Sequence, residues 1–564
     1  MIIPGPRSPK DFNSFLHPLV KELQELEEGV PCIDGRTNEQ FILRAHLLIW
    51  TGDIPALSKS LNLTGHNSYK ACRFCMIEGI CHPSNHHIYY PSSDTVYNIR
   101  NHDDTVNMAK LIDSETIKIQ KNNMIKETGS ELLKLKTILF PWSFPTDIMH
   151  LFFENMAPQM YAHWTGKFFN NLPMSNDYEL SKSQWEIIGA QMEKIKKDMP
   201  NEIGRPPRDI LKYHNGYKAV EWRNWIILFS LPLLRKYLNK RHLQGWSNIV
   251  KAVKLCLEPV ISEDQVDDVQ QLLKKFLDYY EREYYQHNSQ RLTACQISFH
   301  YLLHVANCIK YCGPSWTHWQ FPMEKICGIL QLLIKSRLNP YSNLSNTLTL
   351  LQQFYLLPFF SISKSIFKEK LPKQWNSKQV FCDIKEYEEE FYWPSIQYSL
   401  SGQEHKHLIK FYEGSNSVNN INNYGMKYGR LRTSDGHYIS SHWIKRKNKI
   451  ARNNYCIQIR HTIDKVSHRP NALPQLIIVD IYGIVDYFFV HKFNDKIHML
   501  AYVQLTSKII DDEYECKYFT QFKSKEFIDV RCVDHCVGFA KIDNKYFTID
   551  KENAFDDANW ENLE

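Results

Sequence analysis

The chain has 564 residues, 43% of them hydrophobic and 13% aromatic, enough for two to four cores of the usual roughly 100–200 residues each. Its formal charge of +6 excludes a histone-like polybasic binder and leaves nucleic acid as a permitted partner. No window of 18 apolar residues and no charged-then-apolar leader occurs, so neither a membrane span nor a signal peptide is expected; the protein is read as intracellular and its fourteen cysteines as reduced thiols or metal ligands.

The N-terminal MIIPGPRSPKDF is punctuated by Pro and Gly and reads as an extended lead-in. From Ser14 to Glu28, apolar residues recur every three or four positions (Phe15, Leu16, Leu19, Val20, Leu23, Leu26), which predicts an amphipathic helix. A second periodic run, Glu39 to Leu48, leads into Leu47, Leu48, Ile49 and Trp50, and Asp53 follows as an acid expected at the end of a buried strand. Residues 88 to 130 read as surface loops with short helices. Helices are then expected from Ser183 with a Ser183/Glu186 capping box, across 218–241, and from Ser262 with a Ser262/Gln265 box. Buried helices are expected over 294–333, broken by GPSWTHWQFP at 313–322. GSNSVNNINNYG (414–425) reads as a linker, and QLIIVDIYGIVDYFFVHKF with HMLAYVQL predicts a β domain of hairpins.

Two groups of residues carry chemistry. Cys72-x-x-Cys75 can chelate one ion from a tight turn, and Zn²⁺ then needs two more N or S ligands, expected from Cys81 and one of His82, His86 and His87, with His87 preferred. A redox pair is the alternative. The second group is acidic: two-metal phosphodiester chemistry uses carboxylates from separate elements, and Asp53, Asp147 and Glu324 are the candidates. Asp147 and His150, in FPTDIMHLFFENM, are spaced to meet on one helical face, as catalytic partners or as a core histidine held by an acid. The tract WIKRKNKIARNNY (443–455) interleaves basic and aromatic residues and is better explained as a loop than as a DNA track.

In order and spacing these blocks resemble the CACTA (En/Spm-type) DNA transposases. The resemblance runs through LLIWTGDIPALSKSLNLTGHNSYKACRFC, FPTDIMHLFFEN, IGRPPRDI with YKAVEWRNWIILF, WTHWQFPMEKICGILQLLIKSRLNP and the β-rich tail. It implies an α/β chain with a ribonuclease-H-like core, incomplete at its N-terminus (1–140), a helical insertion (141–312), a return to the core with the closing glutamate (313–400), a linker (401–425) and a β-rich C-terminal domain (426–564). It further implies cut-and-paste DNA cleavage and strand transfer with Mg²⁺ or Mn²⁺. Asp53 takes the place of the second aspartate, Asp147 and His150 that of the DxxH pair, and Glu324 that of the glutamate, while Arg205, Arg208, Lys335 and Arg337 are the DNA-contacting candidates. The family's first aspartate has no counterpart here, so the chain is expected to be N-terminally truncated and inactive as written. DNA, self-association and a nuclear location follow from the resemblance. The alternative is a non-catalytic, zinc-stabilised DNA- or protein-binding module.

Overall fold

The computed structural model describes residues 11–65, 67–92, 97–114, 130–169, 176–359, 379–383, 385–413, 421–444, 452–464 and 475–550. Helices and strands are both extensive, so the chain is a mixed α/β protein. It divides into two compact units, one of residues 1–179 and 245–370, the other of residues 180–244 and 371–564. The segment expected as a single helical insertion is thus shared between them.

In the first unit, helix Asn13–Glu28 forms as its periodicity predicts and buries Leu16 and Val20. These pack with Leu57, Leu61, Leu132, Leu135, Phe140 and Phe144, fixing the short helix Ile54–Ser60 that Asp53 caps. The residues before it depart from expectation. Gln40–Leu43 pairs only with Val30–Ile33 in a two-stranded antiparallel hairpin, residues 44–50 form no strand, and Leu48 is 64% exposed. Asp53 therefore follows an irregular segment tied down by the Trp50 N–H to Ser143 O bond (2.8 Å), not a buried strand. The described strands of this unit are that hairpin and Ile80–Cys81 with Ile88–Tyr89.

The deeper core of this unit is aromatic. Tyr280 stacks on Phe299 with ring centroids 4.0 Å apart, and Trp164 meets Trp246 edge-on at 4.9 Å. Trp164 also donates from Nε1 to Tyr284 OH (3.0 Å), so its buried N–H is satisfied. Helix Glu263–Tyr280 opens with the predicted Ser262/Gln265 capping box. Ile297–His300 and Val305–Cys312 are buried as expected, but Phe321–Leu333 buries none of its residues and exposes Met323, Ile326, Ile329 and Leu332. Its apolar sequence predicts an interior helix; no surface among the described residues covers it.

In the second unit, helix Lys182–Ile195 is capped by Ser181 and Gln184, two residues ahead of the expected box, because Ser181 has the extended backbone an N-cap needs. The predicted hairpin strands appear as Leu476–Phe493 and Lys496–Thr506, joined at Asn494 and Asp495, whose φ of 50° and 58° suit a tight primed turn. The long strand pairs in its first half with Cys456–Asp464 and in its second with Tyr424–Arg432, building a nine-stranded antiparallel sheet beside a four-stranded one. Phe391, Leu431, Ile457, Val485, Phe488 and Met499 fill its core. Residues 414–420 of the expected linker and 445–451 of the basic tract lie outside the described residues.

Candidate metal centre and the adjoining pocket

Cys72 and Cys75 are 1% and 0% exposed, and the residues that meet them come from the far side of the sequence. His300 and His304, one helical turn apart, bring their Nε2 atoms to 3.2 Å from Cys75 Sγ and 3.5 Å from Cys72 Sγ, and to 3.2 Å from each other. Among the described residues these four are the one group of three or more His, Cys, Asp or Glu whose ligand atoms all lie within 4.8 Å of one another. Zinc bonds of about 2.0–2.3 Å at tetrahedral angles place ligand atoms about 3.3–3.8 Å apart. The donor set and its spacing therefore fit a metal such as zinc.

The surroundings suit such a centre. His300 Nδ1 lies 3.0 Å from Ser92 Oγ, and Ser92 is held in turn by Tyr90 O (2.7 Å) and by Glu281, whose carboxylate accepts the Ser92 N–H at 2.6 Å. Outer partners of this kind fix the ring that presents its other nitrogen to a metal. His304 stacks on Phe74. Burial works against charge at Cys72, but hydrogen bonding to Cys75 and the two imidazoles hold its thiol well below the ordinary range. The Cys75 thiol is pushed up by its bond to Cys72, by burial and by the charge on that neighbour. Burial also lowers His304, in spite of the Cys72 charge, keeping it in the neutral form that ligates.

The structure does not bring Cys81 or His87 into this group. Cys81 sits in the hairpin Ile80–Cys81/Ile88–Tyr89, and His87 is exposed. His82 is buried, but its Nδ1 accepts from Ser84 N (3.2 Å), capping the turn between those strands. His300 and His304 were missed because their signal, a His-x-x-x-His on a buried helix, lies some 225 residues away in sequence from Cys75.

Arg73 links the centre to the second group. Held between Cys72 and Cys75, it donates from Nε to Phe144 O (2.8 Å) and from Nη2 to Pro145 O (2.9 Å). That fixes the approach to Asp147, whose side chain is almost fully buried and accepts from Met149 N (3.1 Å), His150 N (3.2 Å) and Gln320 N (3.0 Å), and pairs with His150 Nδ1. Both carboxylate oxygens are thus occupied by the protein. Asp147 orients His150, whose Nε2 lies 3.6 Å from Glu154. Burial disfavours a charged His150 ring, yet the Asp147 bond and charge, with Glu154 and Asp53, outweigh it and raise the pKa. His318, buried near Asp147, is pushed down to about 4.

Asp53, Arg73, Asp147, His150 and Glu154 line one cavity of about 390 Å³. Asp53 Oδ1 caps Ala56 N at 2.6 Å. Glu324 is exposed in the first turn of Phe321–Leu333; its own N–H bonds Gln320 O, and Gln320 N–H bonds Asp147, so it stands one turn from the pocket's edge without joining Asp53 in a metal-binding group. Among the DNA-contacting candidates, Arg208 is occupied by Glu221 (Nη2 to Oε2, 2.7 Å) and Gly216 O (2.8 Å), while Arg205, Lys335 and Arg337 are exposed.

A buried Cys₂His₂ cluster that could hold a metal such as zinc thus adjoins the acidic pocket. In comparison with known proteins, residues 1–129 match the family described as "Transposase family tnp2". Asp53, Cys72 and Cys75 lie inside that span; Asp147, His150, His300, His304 and Glu324 lie beyond it. No curated protein matches the chain. No described helix is long and apolar enough to cross a membrane.

Proposed function

We propose that the chain is a transposase-like protein acting on DNA, in which a structural zinc at Cys72, Cys75, His300 and His304 holds a ribonuclease-H-like pocket in shape. The observation that carries this reading is the convergence in one cavity of Asp53, from the span matching the transposase family, with Asp147 and His150 from the DxxH block beyond it. By analogy with CACTA-type DDE chemistry, Asp53 and Glu324 would be the residues for Mg²⁺ or Mn²⁺ if a further rearrangement brought them together, and the zinc would supply rigidity only. Asp147 acts by fixing His150, and His150 is the proton-handling group facing the pocket. Exposed Arg205, Lys335 and Arg337 supply phosphate contacts. DNA as substrate implies a nuclear location, and self-association is expected of a transposase that pairs two ends.

Strand cleavage by this chain is at background. Two metals at a scissile phosphate need three converging carboxylates, and among the described residues Asp53 and Glu324 belong to no such group. The test is to incubate the purified protein with Mn²⁺ and a transposon-end duplex: binding without nicking is expected. Nicking that Asp53→Ala abolishes would refute the inactivity, and absence of DNA binding at low salt would refute the transposase-like reading. Binding alone, unaffected by Asp53→Ala or His150→Gln, favours the non-catalytic, zinc-stabilised module, which the occupied oxygens of Asp147 support.

A further inference from the structure

Two buried polar side chains on the wall of the Asp53 pocket have atoms with no hydrogen-bond partner. Arg73 is 2% exposed; its Nε and Nη2 are engaged by backbone carbonyls and Thr146 Oγ1, and its guanidinium lies over the Phe74 and Tyr301 rings (4.5 and 4.9 Å), but Nη1 has no hydrogen-bond partner, and among the described residues no carboxylate pairs with the guanidinium. Ser298 is 5% exposed, and its Oγ is likewise without a partner. Both residues line the cavity that holds Asp53, Asp147 and His150. The two rings stabilise the Arg73 charge but leave its Nη1 N–H groups unbonded; an unbonded buried N–H and an unbonded buried hydroxyl are both costly, and two of them on one pocket wall point to a ligand that satisfies both. The guanidinium can only donate and is positively charged, and the hydroxyl can donate beside it, so the ligand that suits both is an oxyanion. The position of Arg73 between Cys72 and Cys75 means that the metal centre holds this donor in place.

We infer that Arg73 and Ser298 form the phosphate-binding wall of this pocket, donating from Nη1 and Oγ to the non-bridging oxygens of a phosphodiester. The inference rests on the DNA-directed reading for the source of the phosphate, and on the two unpartnered donors for the chemistry. Across the cavity, Asp53 and Glu154 are acceptors, suited to a bound cation or to a sugar hydroxyl rather than to the phosphate itself.

The zinc-loaded full chain is titrated separately with inorganic phosphate and with a short single-stranded oligodeoxynucleotide, alongside Ser298→Ala and Arg73→Lys. Ser298→Ala should melt no lower than the wild type, because it removes an unbonded hydroxyl, and should bind both probes about five- to tenfold more weakly. Arg73→Lys, which loses the forked donor, should weaken both more than about tenfold; if it fails to fold, Ser298→Ala decides. Wild-type binding by a well-folded Ser298→Ala overturns the inference. Phosphate binding that follows the variants while no protein binds DNA upholds the wall and refutes the DNA reading. DNA binding indifferent to both variants does the reverse, and a wild type that binds neither probe refutes both.

Discussion

The Cys₂His₂ cluster and the acidic pocket lie in the same unit and share Arg73, yet they are built in opposite ways. In the cluster, four buried donors converge at metal-ligand spacing with a hydrogen-bonded outer partner at His300. In the pocket, the acids are dispersed: Asp147 is fully engaged by N–H groups, Asp53 caps a helix, and Glu324 is exposed outside the cavity lining. A scaffold site must be complete to hold the fold, whereas a reaction site keeps acceptors free for what it binds. On the proposed reading, stability resides in the cluster and any chemistry in the pocket.

The largest effect should come from breaking the cluster. Cys75→Ser is expected to abolish stoichiometric zinc and cost more than about 4 kcal/mol, the range associated with losing a structural metal; thermal melting with and without a chelator checks it. A loss under about 1 kcal/mol would mean that the four residues pack without needing an ion. Next, Asp147→Ala removes a buried acceptor of three backbone N–H groups and should cost about 3 kcal/mol, more than a surface acid would, while leaving zinc content intact. Zinc loss in that variant would join the two regions into one site and end the distinction.

A smaller effect separates the pocket by pH. The His150 pKa is raised in the folded protein, so its charged ring contributes stability that is fully present below the unfolded value of about 6.5 and is lost as pH rises through the higher folded value. The melting-temperature gap between wild type and His150→Gln should therefore be widest near about pH 5.5 and narrow by about pH 8.5. A gap independent of pH would show that the ring acts by packing alone.

The sequence carried its local signals well and its long-range ones poorly. The helix Asn13–Glu28, the Ser262/Gln265 cap and the strands around 476–506 are written in nearby residues, so periodicity and capping chemistry reveal them. The Asp147–His150 pair was legible for the same reason, being three residues apart. The candidate metal cluster was half legible: Cys72-x-x-Cys75 announces a chelate and Cys81 and His87 are the donors nearest in sequence, but the group that converges on the thiols is His300 and His304, which only the tertiary fold brings there. Asp53 misled in another way. An apolar run followed by an acid looks like a strand end, but a strand needs a partner, and among the described residues 47–50 has none. Apolar Phe321–Leu333 likewise looks buried by composition and is not.

The most direct test of the account is the zinc content and X-ray absorption spectrum of the full chain beside two double variants, Cys81→Ser/His87→Ala and His300→Ala/His304→Ala. One zinc per chain in a two-sulfur, two-nitrogen shell is expected, retained in the first variant and lost in the second. Zinc retained without His300 and His304 but lost without Cys81 and His87 would contradict it.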